Sequence, residues 1–271
     1  MSKLDQLKTL LQSKNLWAKK SLGQNFLIDE KALNTIVSAG DLKSSDYVME
    51  VGPGTGFLTE QLIQKVSKVT TVELDADMVE LLKEQFKFTE NLEIIHTDVL
   101  NLQNDQLPRT PYKVIANIPY YITSPILKHF LQSGHRPTVM VLLVQKEVAE
   151  KVCGIGSKGV ITIETQVFGQ PEIVDLVPAS SFYPAPKVDS AILKITVFDT
   201  PLVDSANLKS FFRMVKFGFS QKRKMLANSL GAGLHKKPAE VRELLIKAGI
   251  APDVRAEELE IEDWQRLLSF F

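Results

Sequence analysis

The stretch Glu50-Val51-Gly52-Pro53-Gly54-Thr55-Gly56 joins a predicted strand to a predicted helix. The strand covers residues 47–51, which are mostly apolar, and the helix begins at Phe57. Three glycines in such a turn allow a tight bend and let a ligand approach the backbone closely. The pattern therefore predicts a ligand-binding loop at the carboxyl end of a buried strand.

Strands and helices alternate on both sides of this loop. We predict further strands at residues 69–73, 92–96, 112–116, 139–145, 160–168 and 191–198, and helices near residues 30–39, 57–66, 76–86, 125–132 and 146–153. The helix at residues 30–39 has Asp29 in position to cap its first turn. This alternation is typical of an α/β fold with a mostly parallel, seven-stranded sheet.

The character of the chain changes after Thr200-Pro201. Residues 204–271 carry helical patterns and no strand pattern, which predicts a small all-helical domain at residues 201–271. The larger domain then covers residues 1–200, and its first 28 residues form a short amphipathic helix followed by a basic loop.

Composition narrows the classes of protein that the chain could be. With 271 residues, 44% of them hydrophobic and 24% charged, it has the composition of a soluble globular protein. Cys153 is the single cysteine, and the four histidines show no ligand spacing, so we expect no disulfide and no metal. No signal peptide or membrane-spanning run is recognisable, so a cytoplasmic protein without a membrane partner is expected.

The glycine spacing predicts which ligand the loop binds. It reads G-x-G-x-G and lacks the G-x-G-x-x-G pattern of dinucleotide binding, which disfavours an NAD-dependent oxidoreductase. Glu73 ends the next strand and could accept hydrogen bonds from both hydroxyls of a ribose. Asp98 follows the third strand and could accept one from an adenine amine. Both acids also suit ordinary turn and helix-start chemistry. Together they predict a nucleoside without a pyrophosphate, hence S-adenosylmethionine.

A second stretch, Asn117-Ile118-Pro119-Tyr120-Tyr121, follows the strand at residues 112–116. The Asn117 side-chain carbonyl and the Pro119 main-chain carbonyl are hydrogen-bond acceptors, and the tyrosines offer faces on which a flat base could stack. Two acceptors on an adenine amine would stabilise the positive charge that grows as the amine is alkylated. An ordinary strand-to-loop turn with two core tyrosines would have the same sequence.

Charge is unevenly distributed along a chain whose net charge is zero. Residues 205–239 hold eight lysines and arginines and no aspartate or glutamate, whereas acids are concentrated after Asp253. This distribution predicts a basic face for nucleic acid. We expect the phenylalanines in the same segment, Phe211, Phe212, Phe217 and Phe219, to be core residues.

With these residues in place, the chain closely resembles the ribosomal RNA adenine N6-dimethyltransferases, in particular those of the small-subunit type. The resemblance runs almost end to end and rests on residues 24–27, 50–56, 73–75, 98–100, 117–121, 182–190 and 223–226 in this order. It implies the class I S-adenosylmethionine-dependent methyltransferase fold.

The resemblance also implies the roles of individual residues. The methyl-donor site would be lined by Asn25, Leu27, Gly52, Gly54, Gly56, Glu73, Leu74, Asp98, Val99 and Asn117. The target adenine would be held by Asn117, Pro119, Tyr120 and Phe182. RNA contacts are expected at Lys19, Lys20, Lys216, Lys222, Arg223 and Lys224. Phe182, in a proline-rich loop, would cover the second face of a base stacked on Tyr120. A core phenylalanine beside a proline turn would have the same sequence.

The implied reaction is dimethylation of two adjacent adenosines near the 3′ end of small-subunit rRNA. The expected partner is that RNA, within an immature 30S particle, and the protein is expected to be a monomer. The alternatives are a large-subunit enzyme of the macrolide-resistance type and a non-catalytic ribosome assembly factor on the same fold. A DNA adenine methyltransferase is disfavoured because no separate DNA-recognition domain is apparent.

Overall fold

A computed structural model of the protein describes residues 1–221 and 223–271. The chain divides into two units. The first contains Met1–Ala149 and Pro171–Val197, and the second contains Glu150–Gln170 and Phe198–Phe271. The boundary expected at residue 200 differs from this division, because the second unit also takes in residues 150–170.

A mostly parallel sheet forms the centre of the first unit. The strands of the protein are β1 (Phe26–Leu27), β2 (Tyr47–Val51), β3 (Lys68–Glu73), β4 (Leu92–His96), β5 (Lys113–Asn117), β6 (Val139–Gln145), β7 (Gly169–Val177), β8 (Phe182–Tyr183) and β9 (Ser190–Val197). Seven of them pair in the order β4-β3-β2-β5-β6-β9-β7. The five strands from β4 to β6 run parallel, and β9 is antiparallel to β6. This confirms the predicted α/β fold with its seven-stranded sheet.

Helices occur in both units, and in the first unit they connect successive strands. They are α1 (Lys3–Ser13), α2 (Glu30–Ala39), α3 (Phe57–Leu62), α4 (Ala76–Gln85), α5 (Thr123–Leu131), α6 (Lys146–Cys153), α7 (Val160–Gln166), α8 (Leu208–Gly218), α9 (Leu226–Leu234), α10 (Pro238–Lys247) and α11 (Ile261–Leu268). Asp29 caps α2, because its side chain accepts hydrogen bonds from the N–H groups of Lys31 and Ala32. The predicted helix and its cap are confirmed.

Central strands need cover on both faces of the sheet. In β6 the residues from Met140 to Val144 are completely buried, so this strand reads as a continuous apolar run without alternation. On one face, Leu33 and Ile36 of α2 belong to the same buried cluster as Ile115 and Val141. This burial fixes the sheet as the rigid base of the first unit.

One predicted strand is wrong. The run 160–168 is rich in β-branched residues, but residues 160–166 form α7 and the strand follows at β7. The Thr162 hydroxyl explains the difference, because it accepts from the Gly159 N–H at 2.9 Å and donates to the Lys151 carbonyl at 2.6 Å. Ile163 and Val167, four residues apart, are buried together, which is a helical spacing.

The second unit contains the helices predicted for residues 204–271. Phe211 and Phe212 of α8 are buried, with their rings edge-to-face at 5.5 Å, so the expectation of core residues is confirmed for these two. Phe217 and Phe219 are half-buried. Trp264 of α11 is fully buried and lies 5.9 Å from the ring of Phe219. The aromatic residues of this segment thus stabilise the unit.

Within residues 1–221 and 223–271, no helix has the length and apolar character needed to cross a membrane. In the same part of the chain, no group of three or more His, Cys, Asp or Glu side chains is placed to hold a metal ion.

The turn after β2 generates a prediction about stability. Gly52 and Gly56 both have positive φ, at +67° and +82°. A Cβ at Gly56 would lie 2.8 Å from Phe86 and 3.0 Å from Leu82, whereas one at Gly52 would meet only the Asn117 carbonyl oxygen at 3.5 Å. We expect Gly56→Ala to lower the unfolding free energy by about 3 kcal/mol, from backbone strain and overpacking, and Gly52→Ala by about 1 kcal/mol, from strain alone.

Urea denaturation of the donor-free protein, followed by circular dichroism, measures both losses. Because both residues belong to one turn, they report on the same unfolding transition. Equal losses in the two variants would show that Phe86 and Leu82 do not restrict the turn.

Candidate active site

A pocket lies in the first unit where β2, β3 and β5 end. It encloses about 1080 Å³ of space, part of it open to solvent. Most of the predicted site residues line it: Asn25, Leu27, Gly52, Gly54, Glu73, Leu74, Asp98, Val99, Asn117, Pro119 and Tyr120. Among the described residues, Gly56 and Phe182 are two predicted site residues that do not line the pocket.

Glu73 lies at the end of β3 with 7% of its surface exposed. Its Oε1 accepts from the N–H groups of Leu74 and Asp75, both at 2.8 Å, and its Oε2 accepts from the N–H of Gly54 at 3.1 Å. Burial raises the pKa of this carboxyl, and the three backbone hydrogen bonds oppose that rise. The bonds hold the carboxylate in one orientation at the pocket wall.

The three glycines of the turn serve different purposes. Gly52 and Gly54 line the pocket, and the Gly54 N–H fixes Glu73. Gly56 instead begins α3 and lies against Phe86 and Leu82. Its expected role in donor binding therefore finds no support in its position, since a side chain there would strike helix α4 and the residue that follows it.

Glu50, in the middle of the same motif, is a buried acid that the sequence reasoning did not assign to the site. Only 1% of its surface is exposed. Its Oε2 accepts from the Thr59 hydroxyl at 2.6 Å, while Oε1 is buried and meets no hydrogen-bond partner among the described residues. Burial raises the pKa of Glu50 to about 8; the Thr59 hydrogen bond lowers it, and the charge of Glu73 adds to the rise.

Asn117 ends β5 and faces the amino-terminal loop. Its Nδ2 donates to the Asn25 carbonyl at 3.3 Å. Because the amide nitrogen is used in this way, the carbonyl oxygen Oδ1 is the end available to an incoming donor group. This orientation suits the acceptor role predicted for Asn117.

The Pro119 carbonyl is partly engaged. It accepts from the Ile122 N–H at 3.2 Å, in the short 3-10 helix Tyr120–Ile122. A carbonyl oxygen has two lone pairs, so one remains for a ligand. The turn that the sequence also allowed is therefore present, and it is compatible with the acceptor role.

Tyr120 is held at both ends. Its main-chain carbonyl accepts from the Thr123 hydroxyl at 3.0 Å, and its phenol oxygen lies 2.7 Å from the hydroxyl of Ser190, which is fully buried at the start of β9. Burial raises the pKa of the Tyr120 phenol, and the Ser190 hydrogen bond opposes that rise. The ring therefore has a fixed position at the pocket wall. Tyr121, by contrast, is 64% exposed.

Phe182 does not have the open position that base stacking requires. It is 3% exposed and belongs to the buried cluster that includes Leu27 and Leu33. It pairs with Leu27 across the two-stranded β1–β8 sheet. In this arrangement Phe182 supports the donor-side wall, and its stacking role stays a prediction.

Asp98 and its apolar neighbours line another part of the pocket, and Asp98 fits both roles considered for it, a turn residue and a ligand-binding residue. Asp98 accepts from the Leu100 N–H at 2.9 Å and so begins a short 3-10 helix, as ordinary turn chemistry would have it. It also lines the pocket beside the buried Val99. Leu74 is 49% exposed at the pocket wall, which leaves apolar surface for a ligand.

The predicted RNA contacts fall in both units. In the second unit Lys216, Arg223 and Lys224 are exposed, and Lys216 has Glu164 3.5 Å away. In the first unit Lys20 is exposed, whereas Lys19 is paired with carboxylates. Lys222 lies outside the described residues.

Sequence reasoning missed Glu50 and Ser190 as parts of the site. A signal existed for Glu50, since a single acid in the apolar run Tyr47–Val51 must be buried if that run is a central strand. For Ser190 no local signal existed, because its contact with Tyr120 joins residues 70 positions apart.

Glu50 generates a prediction about pH. The folded chain keeps the Glu50 proton up to about pH 8, whereas the ordinary value is 4.5. Between these values the folded state binds more protons, so this group's stabilising contribution is full below pH 4.5 and is lost towards pH 8, by roughly 1.4 kcal/mol per pH unit. We expect Glu50→Gln, which keeps the neutral shape, to remove this loss.

Urea unfolding of the donor-free protein at about pH 5.5 and 7.5 tests this expectation. Relative to the parent protein, the variant should gain about 2.5 kcal/mol between the two pH values. A difference that stays constant with pH would show that Glu50 is already ionised in the folded chain.

Comparison with known proteins places this site in context. Residues 15–271 match the family model described as ribosomal RNA adenine dimethylase. A protein named ribosomal RNA small subunit methyltransferase A from Dehalococcoides mccartyi strain 195 is 43% identical, covering 98% of this chain and 92% of its own length. One of the same name from Caldanaerobacter subterraneus subsp. tengcongensis is 40% identical over 92% of this chain and 96% of its own.

Two solved structures share the fold. The 23S rRNA methyltransferase ErmE superposes with a TM-score of 0.73 and 31% identity, covering 90% of this chain and 98% of its own. A dimethyladenosine transferase from Plasmodium falciparum gives 0.78 and 27%, covering 91% and 97%. The fold is that of the S-adenosylmethionine-dependent methyltransferases. Since the family match and these relatives both span nearly the whole chain, the protein belongs to the ribosomal RNA adenine dimethylase family.

Proposed function

We propose that this protein uses S-adenosylmethionine to dimethylate N6 of adenosines in small-subunit rRNA, at two adjacent positions near its 3′ end. One observation carries the proposal: a single pocket holds both Glu73, suited to a nucleoside ribose, and Asn117, suited to an adenine amine. The relatives named small subunit methyltransferase A support the choice of RNA.

The residues at the pocket fit S-adenosylmethionine. The buried Glu50 Oε1 meets no partner among the described residues, so a polar group of a ligand could satisfy it. Gly52 keeps the wall open next to the Asn117 carbonyl, where a Cβ would come within 3.5 Å of the oxygen. Glu73 would hold the ribose, and Leu74, Asp98 and Val99 would hold the adenine. When bound, S-adenosylmethionine supplies an electrophilic methyl group.

The residues on the acceptor side orient the target. The Asn117 Oδ1 and the second lone pair of the Pro119 carbonyl would accept the two hydrogens of the adenine amine. Tyr120, fixed through Ser190, would stack against the base. The alkylated amine carries a positive charge and releases its proton to water, so the chain needs no general base. Positioning should therefore dominate the rate.

The second unit supplies a basic surface for the RNA. Lys209, Arg213 and Lys216 follow each other on α8 at spacings of four and three residues, and all three are exposed. Such residues share one face of a helix, and the buried Phe211 lies on the opposite face. Together with Arg223 and Lys224 they would contact phosphates, which position RNA without reading its sequence.

We infer further that the RNA is met within an immature small subunit in the cytoplasm, and that the protein acts there as a monomer. A role in subunit assembly beside catalysis is part of the same proposal. The likeness to a 23S rRNA methyltransferase, at 31% identity, makes large-subunit RNA the alternative substrate. The 40–43% identity to small-subunit enzymes favours the first assignment.

Labelled methyl donor distinguishes these substrates. Purified protein is given small or large subunits from an unmethylated strain, and the RNA is digested to nucleosides. We expect dimethyladenosine from the small subunit alone. Label in the large subunit would reassign the enzyme, and no label in either would support a non-catalytic assembly factor.

Asn117→Ala should separate catalysis from donor binding. We expect turnover to fall by at least about 100-fold, because an acceptor for the developing charge is lost. The dissociation constant of S-adenosylmethionine should change by less than about threefold, because Asn117 then contributes less than about 0.7 kcal/mol to donor binding. Single-turnover methylation and calorimetry measure the two effects. Asn34→Ala, at an exposed position of α2, is the control, and near-normal turnover in Asn117→Ala would refute the acceptor role.

Charge reversal tests the basic surface. We expect Arg223→Glu with Lys224→Glu to weaken RNA binding by at least about tenfold and to reduce the slope of log affinity against log salt by about one for each phosphate that the protein no longer neutralises. Filter binding at several salt concentrations measures both. Lys65→Glu, an exposed position in the first unit, should leave the slope unchanged. An unaltered slope in the double variant would place the RNA elsewhere.

A further inference from the structure

Lys19 makes contacts that an RNA-binding lysine would not be expected to make. Its Nζ lies 2.5 Å from Asp75 Oδ1 and 2.6 Å from Asp77 Oδ2. The Asp75 side chain is 1% exposed and the Lys19 side chain 29% exposed. A lysine held between two carboxylates has its charge compensated within the protein, which weakens its attraction for a phosphate.

Gln24 bonds to both Lys19 and Asp75, so the three residues form a closed ring of hydrogen bonds. Its Nε2 donates to Asp75 Oδ2 at 2.8 Å, and its Oε1 accepts from the Lys19 N–H at 2.8 Å. The loop between them turns at Gly23, whose φ is +65° and whose N–H donates to the Lys20 carbonyl at 3.0 Å. Both oxygens of the buried Asp75 carboxylate are therefore used to hold this loop.

We call residues 19–27 the strap. The part from Leu22 to Leu27 forms one wall of the pocket. Within it, the Asn25 carbonyl accepts from Asn117 Nδ2 at 3.3 Å. The strap therefore connects the ring at Asp75 with the residue proposed to grip the adenine amine.

Asp75 directly follows Glu73 and Leu74, two residues of the pocket wall. Its N–H donates to Glu73 Oε1 at 2.8 Å, and its side chain caps α4 by accepting from the Asp77 N–H at 3.1 Å. Leu74, between Glu73 and Asp75, lines the pocket. The Lys19–Asp75 contact thus joins the strap to the residues expected around the donor ribose and adenine.

We propose that Lys19 is a positioning residue of the donor site, which with Asp75 and Gln24 holds the strap closed as a pocket wall. It acts on donor affinity and not on RNA affinity. The proposal rests on the proposed function in taking S-adenosylmethionine as the ligand of this pocket. If the strap is closed for only a fraction of the time, the apparent dissociation constant rises by the inverse of that fraction.

The neighbouring lysine provides a matched control. Lys20 is exposed, one residue along the same loop, and carries the same charge. We expect Lys19→Gln to weaken S-adenosylmethionine binding by about tenfold, if the strap then closes about one-tenth of the time. Lys19→Arg, which restores the charge, should bind within about threefold of the parent protein, and Lys20→Gln should bind the donor normally.

Three measurements on the full chain decide the matter: donor dissociation constants by calorimetry, RNA affinity against salt by filter binding, and melting temperature. Lys19→Gln should leave the salt slope of RNA binding unchanged. Normal donor affinity with weaker RNA binding in Lys19→Gln would overturn the proposal. So would a loss of donor and RNA affinity in proportion to a lowered melting temperature, since that indicates a merely structural role.

Gln24→Ala gives a second, milder break of the same ring. It removes one bond to Asp75 and leaves the Lys19 charge in place, so it remains informative if Lys19→Gln does not fold. We expect it to weaken donor binding severalfold without altering RNA affinity, and unchanged donor binding would overturn the proposal. If the parent protein itself fails to bind S-adenosylmethionine, the proposed function is wrong. If the parent and all variants bind it equally well, only the proposal for Lys19 is wrong.

Discussion

The register of β2 between its two parallel neighbours sets the geometry of the site. Val51, the last residue of β2, is level with Val72 of β3 and Ala116 of β5. The residues that follow these three positions are Gly52, Glu73 and Asn117. Gly52 lies just beyond β2, and Glu73 and Asn117 end β3 and β5 at the same level, so one pairing register brings together the glycine turn and the residues proposed to bind the ribose and the adenine amine. A slip by one residue would send the side chains of a strand to the opposite face.

The polar groups of the site are held by contacts within the protein itself. Three backbone N–H groups fix the Glu73 carboxylate, a main-chain carbonyl fixes the Asn117 amide, and a serine hydroxyl fixes the Tyr120 ring. Groups held in this way need little reorganisation when charge develops on a substrate. The neutral Glu50 beneath the turn adds a buried polar atom without placing a second negative charge beside Glu73.

Sequence patterns were sufficient for the parts of the molecule that local rules control. The strands at residues 47–51 and 92–96 and the capped helix α2 follow from apolar runs and an aspartate at the right offset. The prediction of a strand over 160–168 is wrong for residues 160–166 because β-branched residues occur in strands and in helices. The hydrogen bond from the Thr162 hydroxyl to the Lys151 carbonyl, eleven positions away, favours the helix. Glu73 and Asn117 could be predicted as site residues because each ends a strand that the local sequence pattern indicates.

Other features of the site depend on contacts between distant parts of the chain, and no local pattern could indicate them. Lys19 lies in a basic loop, which suggested RNA, but its partner Asp75 is 56 positions away. Phe182 lies in a proline-rich loop, which suits either an open aromatic face or a core residue, and it is buried where the chain pairs with Leu27. In both cases the residue type indicated the chemistry available, and the contacts depend on residues far away in the sequence.

The small β1–β8 sheet has one more consequence. Leu27, at the donor wall, and Phe182, expected to cover the target base, are directly opposed in its two-residue ladder. The ladder ties the main chain at residue 182 to the main chain at residue 27, so a displacement of the Phe182 backbone would also displace Leu27 at the pocket wall.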